Sequence, residues 1–114
     1  MSIDQERAAG AVEYLINSAA EYGAARADAI RAEAMLRVVK ALAMKSSDER
    51  SAAAQEREAY ASEPYLRAVD DLFDAVKAAE TLKAQRESAV ATIETWRSLN
   101  SNQRSAERGY GSHK

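Results

Sequence analysis

Asp70, Asp71 and Asp74 form the strongest chemical signal in the sequence. Two adjacent carboxylates and a third one turn on make a DDxxD pattern, which can hold magnesium against a diphosphate because that ion takes oxygen ligands and keeps several waters. On this pattern the chain would be a small metal-dependent phosphohydrolase. Such a site needs a second acidic group and an enclosing cavity. The only other dense acidic patch is Gln55-Glu56-Arg57-Glu58, where Arg57 separates the glutamates, and 114 residues cannot build a large multi-helix cavity. The aspartates are therefore read as a solvated flank, with Asp74 pairing to Lys77 at helical spacing. The single histidine, His113, is the penultimate residue, and a general base must be held in place to work. With no cysteine, no triad and no glycine-rich phosphate loop, the expectation is an absence of catalytic residues, metal and cofactor.

A second chemistry is local. From Arg97 to Lys114 the basic residues Arg97, Arg104, Arg108 and Lys114 stand against Glu107 alone. Basic side chains beside a tryptophan suit single-stranded nucleic acid, with Trp96 stacking on a base and the cations following phosphates. The competing reading makes Trp96 the largest apolar knob of a long helix, and its phase favours that reading. The formal net charge is −2, so bulk electrostatics would not draw the chain onto nucleic acid or an anionic membrane.

These groups have to be positioned by helices. The sequence is rich in Ala, Glu, Arg and Lys, has one Pro and four Gly, and is 46% hydrophobic with only 6% aromatic residues, a composition of all-α chains. Alanine buries little area per residue, so at roughly 25 cal/mol per Å² of apolar surface stability must come from long contacts or a second chain. The pattern predicts an elongated helical hairpin: two long helices near residues 3–45 and 64–100 joined by a short one, coiled-coil-like or a bundle on oligomerisation. Ser2 can cap the first helix. Val12, Ile16, Ala19, Gly23, Ala27, Ile30, Ala34, Val38 and Ala41 trace its apolar stripe, an eleven-residue repeat that predicts a nearly straight helix, not a left-handed heptad pair. Gly23 among alanines predicts close helix packing. Ser46 followed by Glu49 matches a capping box that would open a short helix over 48–61, exposed apart from Ala53 and Tyr60. The long helix then starts at Pro64, or continues from the short one through a kink. Its stripe is Val69, Leu72, Val76, Ala79, Leu82, Val90, Ile93 and Trp96.

The run Gln55 to Ser62, Tyr65, the apolar Val69, Leu72 and Val76, and the closing Ile93-Glu94-Thr95-Trp96-Arg97 with polar residues to Arg104 resemble small helical proteins of tailed bacteriophages and prophages encoded near recombination and replication genes. The likeness covers roughly residues 27–104 and carries over no catalytic residues.

The resulting expectations are a single helical domain over 1–104 with a flexible basic tail over 105–114, and a two-fold dimer meeting through Val69, Leu72, Phe73, Val76, Ile93 and Trp96. The leading function is a non-enzymatic accessory protein of DNA recombination or replication that binds a phage or host protein of DNA metabolism or single-stranded DNA. The alternatives are a structural adaptor or inhibitor of a host defence complex, and the phosphohydrolase. No run approaches the ~20 apolar residues of a membrane span and no signal peptide is evident, which predicts no membrane association and a place in the cytoplasm of a bacterial host cell.

Overall fold

A computed structural model describes residues 3–111, with side chains to residue 109. It is all-α: α1 covers Gln5–Lys45, α2 Ala52–Ala61 and α3 Glu63–Gly111, two long helices joined by a short one as the composition predicts.

Local chemistry sets each boundary. Asp4 caps α1, accepting from the Arg7 amide on Oδ1 at 2.8 Å and from the Ala8 amide on its carbonyl at 3.2 Å, and with Glu6 it places negative charge at the positive end of the helix dipole. Ser2, the expected cap, lies outside the described residues. Ser46 does not open α2: its hydroxyl bonds back to the Leu42 carbonyl at 3.0 Å and its amide does the same at 3.1 Å, so it closes α1. The cap of α2 is Ser51, whose side chain accepts from the Ala54 amide at 3.1 Å. The serine before Ala52-Ala53-Ala54 wins because alanine is the best helix former, and α2 starts four residues later than the capping-box pattern predicts. Ala59, not Ala53 or Tyr60, is its buried residue. Ser62 is extended (φ −73°, ψ 148°). It ends α2 and starts α3 at once, giving its amide to Ala59 at 3.1 Å and accepting from the Leu66 amide at 3.0 Å. The two helices are thus separate, and Pro64 falls in the first turn of α3, where a missing N–H leaves no hydrogen bond broken.

At its far end α3 continues through Arg104 to Gly111, where a flexible tail is the sequence expectation. Residues 103–108 contain no helix breaker, and Gln103 donates to Glu107 one turn on at 3.4 Å.

Contacts gather into two compact units, Met1–Ala20 with Leu82–Lys114, and Glu21–Thr81. In the first, Ala8, Ala11, Leu15 and Ser18 of α1 are buried or half-buried, as are Leu82, Arg86, Ala89, Ile93, Trp96 and Asn100 of α3. Arg86 occupies a seam position, and its Nη1 donates to the Leu15 carbonyl at 2.8 Å and to Ser18 Oγ at 2.7 Å. Beside it the Tyr14 hydroxyl donates to Gln85 Oε1 at 2.9 Å. In the second unit the same 3-4 alternation covers Tyr22, Ala25, Ala29, Ala32, Leu36, Val39 and Ala43 of α1 and Tyr65, Ala68, Leu72, Ala75 and Ala79 of α3.

The buried spacing averages 3.5 residues, the period of left-handed helix pairs, and this corrects the eleven-residue reading of α1. Val12, Ile16, Ala19, Gly23, Ala27, Ile30, Ala34, Val38 and Ala41 are all exposed, with Ile16 at 70%. Alanine recurs on every side of α1, so apolar periodicity alone admits two faces. The α3 seam carries Tyr65, Leu72, Leu82, Arg86, Ile93 and Trp96. On α3 the expected stripe holds for Leu72, Ala79, Leu82, Ile93 and Trp96, whereas Val76 and Val90 are exposed. Nothing lies within 4 Å of a Cβ built on Gly23, so close packing within the chain is not what that glycine serves.

Two substitutions should move stability in opposite directions. Arg86→Ala strands the buried Ser18 hydroxyl and should cost about 1–3 kcal/mol in urea unfolding with helix content unchanged. Gly10→Ala, whose Cβ would meet open space, should add about 0.5–1 kcal/mol in the same assay.

Candidate functional site

The arginines singled out from sequence become a row once α3 is continuous. Arg97, Arg104 and Arg108 are all exposed, and spacings of seven and four place them on one side of the helix, spread over roughly 16 Å at 1.5 Å per residue. Lys114 lies outside the described residues, as does His113. Trp96 is half-buried on the seam beside this row, which makes it a packing residue and removes the stacking platform from the nucleic-acid reading.

The six residues expected to form an intermolecular interface divide between two duties. Leu72, Ile93 and Trp96 are half-buried on the seam of the chain's own helix pair, while Phe73 and Val76 are exposed and Val69 is half-buried beside them. The acidic motif also divides. Asp71 lines a groove, whereas Asp70 and Asp74 are exposed away from it. Among the described residues no group of three metal-ligating side chains is assembled, and the ion pairs formed include Lys40–Glu56 at 3.6 Å and Arg67–Glu63 at 3.0 Å but not the expected Asp74–Lys77.

The groove lies within the second unit, between α1 and the start of α3. It encloses about 650 Å³ over a floor that includes Met35, Val39 and Ala68, with Asp28, Arg31, Glu63, Arg67 and Asp71 around it. Three acidic and two basic side chains share the rim. Nothing in the spacing of Asp28, Arg31 and Arg67 could have revealed it, because they meet only through the register of two helices.

A polar hub at the other side of this unit was equally hidden. Lys40 Nζ donates to the Tyr60 hydroxyl at 2.9 Å, faces Glu56 and stands 4.6 Å from the Tyr60 ring centroid. Tyr60 meets Tyr65 edge to face at 5.2 Å. Ser47 Oγ donates to Glu58 at 2.8 Å, and Gln55 donates to the Glu49 carbonyl at 2.9 Å. The hub fastens α2 to both long helices. Lys40 is held above its ordinary value near 10.5 chiefly by the Tyr60 hydrogen bond, which desolvation opposes and the Glu56 charge reinforces. Among the described residues no helix is long and apolar enough to cross a membrane.

A lysine with a raised folded-state pKa stabilises the fold fully below its unfolded value and loses that contribution as pH rises through the folded value. The protection of the α2 amides, taken against their intrinsic base-catalysed exchange rate, should therefore be independent of pH between 6 and 9 and fall above about 10.5, whereas Lys40→Met should lower it throughout the range below that. Comparison of the chain with protein-family models, with curated proteins and with solved structures finds no match.

Proposed function

We propose that the chain is a non-enzymatic accessory protein that acts by offering helix faces to other macromolecules, in the setting of DNA recombination or replication in a bacterial cell infected by, or carrying, a phage. The setting rests on the resemblance of residues 27–104 to phage helical proteins and places the chain in the cytoplasm. The mode of action rests on one observation: among the described residues only alanines and Ser18 are fully buried, while large apolar side chains, among them Ile16, Ile30, Leu42, Leu66 and Phe73, remain more than half exposed. Exposed apolar rows rimmed by charge mark interaction surfaces. A protein partner takes the apolar rows, and the arginine row at the end of α3 contacts the phosphates of single-stranded DNA. The phosphohydrolase and the adaptor or defence-inhibitor readings have no comparable observation behind them. A melting screen with magnesium, manganese and nucleotides should leave the transition unshifted, since a ligand that binds only the folded state raises it.

Fluorescence anisotropy with a labelled single-stranded oligonucleotide tests the DNA contact. Three phosphate contacts predict an affinity that falls about twenty-fold between 50 and 200 mM salt. Arg104→Glu with Arg108→Glu should abolish it while circular dichroism stays unchanged. Deleting residues 105–114 should also abolish it, now with a loss of helix signal because 105–111 are helical. Binding that survives both changes would place the contact elsewhere.

A further inference from the structure

The last three turns of α3 stand clear of the helix pair. The two long helices run antiparallel, Tyr14 meeting Gln85 and Asp28 sharing a groove with Asp71. From Tyr14 back to Gln5, its first residue, α1 extends about 14 Å, whereas α3 runs on from Gln85 to Gly111 for about 39 Å at 1.5 Å per residue. The shorter arm gives out first. Asn100 is the last half-buried residue of α3, and residues 101–109 are exposed on every side. This overhang is made of indifferent helix formers: Asn100, Ser101, Asn102, Ser105 and Gly109 all rank below alanine, leucine or lysine, and helices of about a dozen residues without tertiary packing are marginal in water. Because the turns before it supply the nucleus, the overhang winds and unwinds from its free end. Arg104 and Arg108, one turn apart, repel each other and favour unwinding, while Gln103 bonded to Glu107 at 3.4 Å opposes it.

The arginine row needs this helix. At about 100° per residue Arg97, Arg104 and Arg108 fall within an arc of about 40°, and Glu107 lies about 80° round from the centre of that arc, held there by Gln103. Once the overhang unwinds, only Arg97 keeps its place on the helix, and Glu107 is released to neutralise Arg104 or Arg108. Resting on the reading that this row contacts single-stranded DNA, we infer that the overhang is a conditional helix whose winding and DNA binding are one coupled event. Phosphates laid along the row cancel the repulsion between Arg104 and Arg108 and so favour the wound state, and the wound state is the one that lines the arginines up. By linkage each process strengthens the other by the same factor. The position of the overhang suits this role, because a segment outside the seam can wind and unwind without disturbing the helix pair that carries it.

Amide exchange followed by NMR on the full chain reads the coupling directly. Protection of amides 102–109 should be low in the free chain and rise about tenfold with a single-stranded oligonucleotide at about ten times its Kd, while amides 86–96 stay protected in both states. Asn102→Pro keeps every arginine and lies outside the seam, but it breaks the helix between Arg97 and Arg104. In that variant the fall in affinity between 50 and 200 mM salt should shrink from about twentyfold to about threefold, the dependence of a single phosphate contact, whereas Asn102→Ala should keep the full fall. Amides 102–109 as protected in the free chain as 86–96, or still unprotected in the complex, overturn the inference. So does a proline variant that keeps the full salt dependence, or an alanine variant that loses it. In each of those cases the wild type still binds, and the DNA contact of the proposed function stands; a wild type that does not bind at the lower salt overturns both.

Discussion

An alanine seam can hold two helices together only by running on for many turns. Each methyl removes little apolar surface from water, so the contribution per turn is small and within each unit the contact has to accumulate over several turns of α1 and α3. The same small side chains let helices approach closely. The buried residues Ala8, Ala59, Ala68, Ala79 and Ala89 are the consequence, and most other features follow from a seam so poor in bulk.

The alanine positions of the seam do little to specify register, which falls to the larger and the polar residues between them. Polar residues supply what the methyl groups lack. Arg86 sits where an apolar residue would serve packing better, yet its guanidinium reaches the Leu15 carbonyl and the Ser18 hydroxyl, groups that a slid register would not present. A buried polar residue that sacrifices some stability to define alignment is the best-attested use of such groups. Within the second unit Lys40, Tyr60 and Glu56 do the corresponding work for α2, and Ser62 fixes where one helix stops and the next begins.

Placing small residues inside also forces the larger ones outside. Ile30, Leu66 and Phe73 would stabilise an ordinary core, and here they lie on the flank beside one. A chain arranged in this way keeps much of its capacity for hydrophobic burial in reserve for association. The arginine row at the end of α3 adds a second surface of different character, and it exists as a row only because the helix does not stop at Leu99.

Helix content was readable from composition alone, because good helix formers, few glycines and a single proline leave no other regular structure. The existence of three helices, the start of α3 near Pro64 and the seam role of Leu72, Leu82, Ile93 and Trp96 were readable for the same reason: on α3 the large apolar residues are spaced widely enough to mark one side. On α1 they are not. Val12, Ile16, Ile30 and Val38 trace a convincing stripe, but Ala11, Leu15, Ala25, Ala29, Leu36 and Val39 offer an equally continuous one next to it, and hydrophobicity cannot rank the two. Capping was ambiguous in the same way, with Ser46, Ser47 and Ser51 all able to start a helix. Only the tertiary structure decided which serine was already committed to the end of α1, which face of α1 met α3, and which charges met at the groove and the Lys40 hub. Each of those choices depends on a partner far away in sequence, and local periodicity carries no term for that partner's size or charge.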